Sequence, residues 1–319
     1  MDSSKWANPI VTRSRVVLEI AAELVADDEQ PYTQAKVLLR KQGTQEWPLC
    51  LFGSSTYEGV DAVVRGEAAL AMINPAASLT LAYRGTGPYA TPQPVRAIAV
   101  IPSADQYVFA VKRETGLTTF EEIGTRRAPL RIATRGQRDH CLHVMLEHIA
   151  EAAGFSLDAF RGWGGETRPN GPLPMPGDAK FAALARGEID AIFDEAVQEW
   201  LQAAVEAGMT ILPLAERTVR VLEAQGYRRA IIPRALYSML PADVLTIDFS
   251  GWAIFTHADA PDTLVTQMCA ALQARKHLIP WQGEGPLPLD RMVRNEPDTP
   301  LDVPLHPAAE RFWRACGYL

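Results

Sequence analysis

Four cysteines in 319 residues, at 50, 141, 269 and 316, lie too far apart for a zinc knuckle or a thioredoxin-type pair. They read as small buried hydrophobes. A basic surplus is missing as well. Thirty-one Lys and Arg face 38 Asp and Glu, and the net charge of −7 argues against a nucleic-acid partner. No apolar run approaches the ~20 residues of a membrane span, so direct membrane insertion is not expected. The opening "MDSSKWANPIVTRSR" has no cationic segment followed by an apolar stretch, so it does not read as a signal peptide. If Met1 is the natural start, the expected location is the cytoplasm; if an export signal was trimmed, it is the periplasm. There is no serine elbow, no phosphate-cradling Gly-Lys loop and no dinucleotide fingerprint, and no cofactor is expected.

What is present is a soluble α/β pattern, with 47% hydrophobic and 22% charged residues. Arginine far outnumbers lysine, which favours fork-shaped recognition of carboxylate or phosphate. Residues 14–26 carry an apolar stripe at helical spacing, with Thr12 or Ser14 as the cap. Apolar runs "WPLCLFG", "ALAMIN" and "VRAIAVIP" read as buried strands with helices between them. From about residue 105 the alternation starts afresh. "QYVFAVKRE", "LRIAT", "FRGWGG", "IDAIFDEA" and "MTILPL" read as strands, with helices at "CLHVMLEHIAEAAG", "DAKFAALARGE" and "VQEWLQAAVEAG". "TIDFSGWAIFTHADAP" reads as one long extended stretch, and helices follow at 261–278 and near the C-terminus.

One device occurs twice. Arg-Gly-Glu starts at 65 and again at 186, 121 residues apart, each time followed by an apolar run and then polar residues. The glycine ends a helix where left-handed backbone is cheap, and a buried strand follows. Its carboxyl end then carries Asn74 in one copy, Asp194 and Glu195 in the other. Ligands of open α/β sheets sit just beyond such ends, so two copies offer two facing edges.

Four stretches carry a family resemblance: "EGVDAVVRGEAALAMINPAASLTLAYRGTGPY", "VRAIAVIPSADQYVFAVKRETGLTTFEEI", "ALARGEIDAIFDEAV" and "VPLHPAAERFWRACGY". The last is the most specific, combining Pro304, Leu305, His306 and Pro307 with Phe312 and Trp313. Through them the chain resembles the type II periplasmic-binding-protein fold and, more narrowly, the TAXI group of TRAP-transporter solute receptors. Two loops depart from the family's small, Gly-rich pattern, "NPIVTRSR" and "TRGQRDHC". The resemblance implies a two-lobed α/β protein, each lobe a mainly parallel sheet with flanking helices. Residues 1–103 and 251–319 would form one lobe, 104–250 the other, joined by two crossing segments that absorb hinge closure.

The candidate ligand contacts follow from position and chemistry. Arg13, flanked by Thr12 and Ser14, is placed at the start of the first helix, where backbone N–H groups already favour anions. Ser54, Ser55 and Thr56 link a buried strand to a helix, offering hydroxyls or plain capping. Asn74 both donates and accepts. Thr134, Arg135, Arg138 and His140 crowd one loop, where the arginines suit a two-pronged grip on a carboxylate. Asp194 and Glu195 would take an amine or hydroxyls from the ligand, or pair with Arg135. His143 and Glu147 share a helix face but lack the order of a hydrolytic zinc helix, and no metal site is expected. Trp163 suits either ligand stacking or the core. The expectation is a solute-binding protein that holds a small organic acid, amino or aromatic acids included, without chemistry, and that serves a membrane permease if exported. The alternatives are a cytoplasmic decarboxylase or isomerase on the same scaffold and a ligand-sensing regulator.

Overall fold

The computed structural model describes residues 9–26, 32, 34–41, 43, 45, 49–54 and 56–319. Helix α1, Pro9–Leu24, belongs to a unit of its own within residues 1–35, and residues 36–319 form a second unit. α1 begins with a proline, whose missing N–H costs nothing in the first turn. Thr12, Arg13 and Ser14 therefore sit inside the helix, exposed, rather than at its start as the cap and anion site that were expected. No helix among the described residues is long and apolar enough to cross a membrane.

The second unit is built on two five-stranded sheets. The first holds β1 (Ala35–Leu39), β2 (Leu49–Gly53), β3 (Leu70–Ile73), β4 (Val95–Ile101) and β12 (Trp252–His257), in the order β1-β2-β3-β12-β4. The second holds β5 (Val108–Lys112), β6 (Arg131–Thr134), β7 (Glu166–Pro169), β8 (Ala191–Asp194) and β9 (Met209–Ile211), in the order β7-β6-β8-β5-β9. A hairpin of β10 (Arg229–Ile232) and β11 (Val244–Ile247) stands apart from both.

The two sheets share one plan. β2 runs parallel to β3, while β12 is antiparallel to both β3 and β4. Likewise β7, β6 and β8 are parallel, while β5 is antiparallel to both β8 and β9. The odd strand in each sheet is the one that follows a crossing from the other half of the chain. The chain leaves β4 at its carboxyl end, crosses through residues 102–107 and enters as β5. It returns through 248–251 and enters as β12. A chain that crosses between two facing carboxyl edges must run backwards on arrival. The carboxyl ends of β2, β3, β6 and β8 thus point toward one seam, and the fold is a two-lobed α/β architecture.

The helices cover the sheets and the seam. α2 (Glu58–Val64) and α3 (Ala76–Arg84) follow β2 and β3. α4 (Glu121–Thr125), α5 (Cys141–Ala152), α6 (Leu157–Gly162), α7 (Ala179–Ala185), α8 (Val197–Glu206) and α9 (Glu216–Gln225) belong to the second half. α10 (Asp262–Arg275), α11 (Leu289–Met292) and α12 (Pro307–Ala315) close the chain. Both repeated Arg-Gly-Glu turns are built as expected, with Gly66 at φ 72° and Gly187 at φ 70°. Ala77 and Leu81 of α3 share one apolar cluster with Leu142, Met145, Leu222 and Phe249 of the other half. Polar ties add to it: Thr86 donates to the Gln225 carbonyl at 2.6 Å, and Arg228 grips Asp302 through two 2.6 Å bonds.

Three local expectations change. "FRGWGG" is not a strand. Ser156 accepts a hydrogen bond from the Ala159 N–H, caps α6, and carries Phe160 to Gly162 into the helix. Trp163 ends that helix and packs on Phe155, ring centroids 5.9 Å apart, so it belongs to the core. The stretch "TIDFSGWAIFTH" is broken at 248–251, because its halves serve different sheets. α9 and β10 have no counterpart in the sequence reading, and only the end of β11 does.

Candidate functional site

The seam brings together strand ends that are far apart in sequence. Arg135 follows β6, and Asp194 and Glu195 end β8, the strand next to it. Arg135 Nη2 donates to Asp194 Oδ1 at 2.6 Å, and Nε donates to the same oxygen at 3.2 Å. Nη2 also donates to Glu195 Oε1. The arginine expected to clamp a ligand carboxylate is therefore engaged by two carboxylates of its own lobe. Asp194 is fully buried and further held by the Lys180 ammonium at 2.9 Å and by the Glu195 N–H at 3.1 Å. Lys180, itself fully buried, also donates to the Pro172 carbonyl.

Asp105, in the first crossing segment, completes the cluster. Its oxygens accept the backbone N–H groups of Gln106 at 2.8 Å, Ala196 at 2.7 Å and Val197 at 3.1 Å. It thus ties the crossing to the start of α8. Ala196 holds a left-handed conformation at φ 59°, and the Trp200 indole fixes the preceding carbonyl, that of Glu195, at 2.7 Å. Replacing Asp105 with alanine removes the acceptors at a helix start and is expected to cost about 1–2 kcal/mol in urea unfolding. An unchanged midpoint would show that water replaces the carboxylate at no cost.

Burial controls the protonation of this cluster. It pushes Glu195 up to about 8, against the pull of Arg135 and with the help of Asp194 and Asp105. Burial raises Asp105 too, opposed by its three N–H donors. For Arg135 burial works downward, but Asp194 and Glu195 outweigh it and hold the guanidinium above its ordinary value. Lys180 is lowered by burial, which Asp194 only partly offsets. His140 falls to about 3 through burial and the nearby charges of Arg135, His143 and Lys180. It is neutral, and its Nδ1 caps α5 by accepting the Leu142 N–H at 3.3 Å. His140 thus caps α5 and stacks on Phe249.

On the facing edge, Ser54 Oγ and Thr56 Oγ1 lie 2.9 Å apart, and Thr56 accepts the Glu58 N–H at 3.3 Å, so the pair organises the start of α2. Ser55 lies outside the described residues. Asn74 meets the other lobe directly: the Cys141 thiol donates to its carbonyl at 3.2 Å. Near this contact are the buried Tyr57 OH, Ser78 Oγ and Tyr107 OH, and Asn74 Oδ1 and Thr134 Oγ1 are buried as well. Of these, Asn74 Oδ1, Tyr107 OH and Thr134 Oγ1 have no hydrogen-bond partner among the described residues. Ser78 hydrogen-bonds with both Tyr57 and Cys141, and Cys141 acts electrostatically on Tyr107, so these groups adjoin. Burial raises the Tyr57 phenol and the Cys141 thiol well out of the neutral range, so both keep their protons. An unpaired buried polar group costs about 1–3 kcal/mol, so Asn74 Oδ1, Tyr107 OH and Thr134 Oγ1 each call for a partner.

Arg138 is exposed. His143 turns to the Gln137 carbonyl at 2.9 Å, and no cluster suited to a metal ion occurs among the described residues. A cavity of about 410 Å³ is lined by Ser103, Asp105, Ala196, Glu199, Trp281 and Gln282 among others, and its described lining holds none of the residues named from the sequence. It reaches Asp105 and Ala196, which adjoin Glu195 in space and in sequence. The sequence reading passed over Lys180, Asp105, Tyr57, Ser78, Tyr107 and Cys141. One signal was available: Lys180 stands in the first turn of α7, where the helix dipole disfavours a cation.

Comparison with curated proteins finds no match. Among solved structures, a Bordetella bronchiseptica RB50 protein aligns at 15% identity over 70% of this chain and 58% of its own, with a TM-score of 0.38. The alkanesulfonate-binding protein SsuA from Xanthomonas axonopodis pv. citri aligns at 17% identity over 69% of this chain and 59% of its own, TM-score 0.33. The chain thus spans somewhat over half the length of these two proteins. PhnD1 from Prochlorococcus marinus (MIT 9301), solved with methylphosphonate, aligns at 11% identity over 83% and 84%, TM-score 0.39. The profile of the NMT1-like family matches residues 53–317, and the chain belongs to that family.

Proposed function

We propose that the chain is a solute-binding protein of the TAXI receptor type that holds a small organic acid between its lobes, without chemistry. One lobe comprises residues up to 103 and from 251 onward, the other 104–250, and they hinge at the two crossings. If the chain is exported, it works in the periplasm with a membrane permease; otherwise it is a cytoplasmic receptor. The carrying observation is the seam itself, where buried hydroxyl and phenol groups adjoin the Asn74–Cys141 contact between the lobes, close to the Arg135 cluster. Hydroxyl donors suit the oxygens of a polar acid, and a ligand that satisfies them recovers the cost of their burial.

A thermal-shift screen of small mono- and dicarboxylates tests this. A bound acid raises the midpoint, by about 2.7 kcal/mol of stability at a hundredfold excess over Kd. Asn74→Ala is expected to shrink the shift, since it removes a seam group and leaves the Arg135 cluster in place. If no acid shifts the midpoint, the ligand class is wrong. If the stabilising acid is consumed, an enzyme on the same scaffold replaces the receptor.

A further inference from the structure

We propose that Glu195 is an internal stand-in for the ligand: its carboxyl occupies Arg135, and an incoming carboxylate binds by displacing it from the guanidinium. This rests on the acid-binding reading above and adds to it the residue that sets the exchange. The two carboxylates on Arg135 are not equivalent. Asp194 is fully buried and held by Arg135 Nε and Nη2, by Lys180 and by the Glu195 N–H. The Glu195 side chain is held by Arg135 Nη2, and it retains a little exposure where Asp194 has none. Its backbone is anchored independently, through Trp200 on its carbonyl and Asp105 on the Ala196 N–H. Its side chain can therefore swing without unravelling the strand end. Beside it the Asp105 carboxylate is ready to receive a hydrogen bond from the protonated form. The cavity lined by Asp105 and Ala196 adjoins Glu195.

Charge decides when the exchange is easy. Facing Glu195 are Arg135, Asp194, Asp105, Tyr107 and Cys141; facing Arg135 are also His140 and Lys180. With Glu195 protonated, as burial keeps it below about pH 8, the ligand brings the only added charge. With Glu195 ionised, the ligand would add a second negative charge to a buried site unless one proton is taken from solvent. The exchange then reads: the ligand carboxylate pairs with Arg135, the Glu195 carboxylate leaves it, and one proton from water ends on Glu195. Binding is proton-independent below pH 8 and proton-coupled above it.

The test is calorimetric titration of the full chain with succinate, glutamate and benzoate, following the tightest of the three from pH 6 to 10. Wild-type Kd is expected to stay level up to about pH 8 and then rise about tenfold per pH unit. Glu195→Gln keeps the shape and removes the titration, so its Kd should stay level and lie at least about tenfold below wild type at pH 9.5. A level wild-type profile overturns the proposal and leaves the receptor standing. So does an equal rise in Glu195→Gln, which would assign the titration to Lys180. If none of the acids binds either protein at any pH, the acid-binding reading and the exchange fall together. Should the variant not fold, as thermal unfolding would reveal, the wild-type profile still decides.

Discussion

Replacing Asp194 with alanine is expected to lower the unfolding free energy by about 3–5 kcal/mol, measured in urea. Asp194 is fully buried and is the shared anchor of Arg135 and Lys180. Its removal leaves two buried cations beside Glu195, whose carboxyl is largely neutral at pH 7 because burial lifts it to about 8. Neither cation can reach water easily, since Lys180 is fully buried and Arg135 nearly so. Asp194→Asn keeps the volume and loses the charge, and it should cost nearly as much as the alanine. The exposed Arg186–Glu188 pair gives the contrast, because a pair in water contributes about 0–1 kcal/mol. A loss below about 1 kcal/mol for Asp194→Ala would show that the cluster is hydrated in solution, and the charge balance argued for Glu195 would fail with it.

Truncating Trp200 to alanine should cost about 3–5 kcal/mol as well, by a different route. The ring is fully buried among Val108, Ile192, Leu201 and Ile211. Its indole N–H also fixes the Glu195 carbonyl. Trp200→Phe keeps most of the packing and drops that hydrogen bond, for about 1 kcal/mol. The phenylalanine variant is therefore the informative one for function. If the anchored Glu195 backbone matters to exchange, its Kd for an acid should change by more than its stability loss alone explains. Identical binding by Trp200→Phe and wild type would reduce Trp200 to a packing residue.

Much of this molecule can be read along the chain. Apolar runs of four to seven residues punctuated by glycine mark β2, β3, β4, β6 and β8 because buried strands leave no room for polar side chains. The two Arg-Gly-Glu turns are local devices, since a left-handed residue needs glycine wherever it falls. Errors arose where one short segment suited two states. "FRGWGG" carries aromatic and glycine residues common in strands, yet the hydroxyl of Ser156, a few residues upstream, turns it into a helix end. Arg13 looked like the start of a helix because the apolar stripe begins after it, while α1 already runs from Pro9.

The site could be named in residues but not in partners. Arg135 and Asp194 stand 59 positions apart, and only the adjacency of β6 and β8 places them in bonding distance. Composition allowed Arg135 to grip a ligand or a neighbour; strand order chose the neighbour. Lys180 reads as an ordinary helix lysine until the end of β8 comes to lie against it. Local steric and solvation preferences act over a few residues, so strands, turns and caps are written in the chain. Electrostatic pairing at buried strand ends depends on which strands lie side by side, and that is settled only when the sheet assembles.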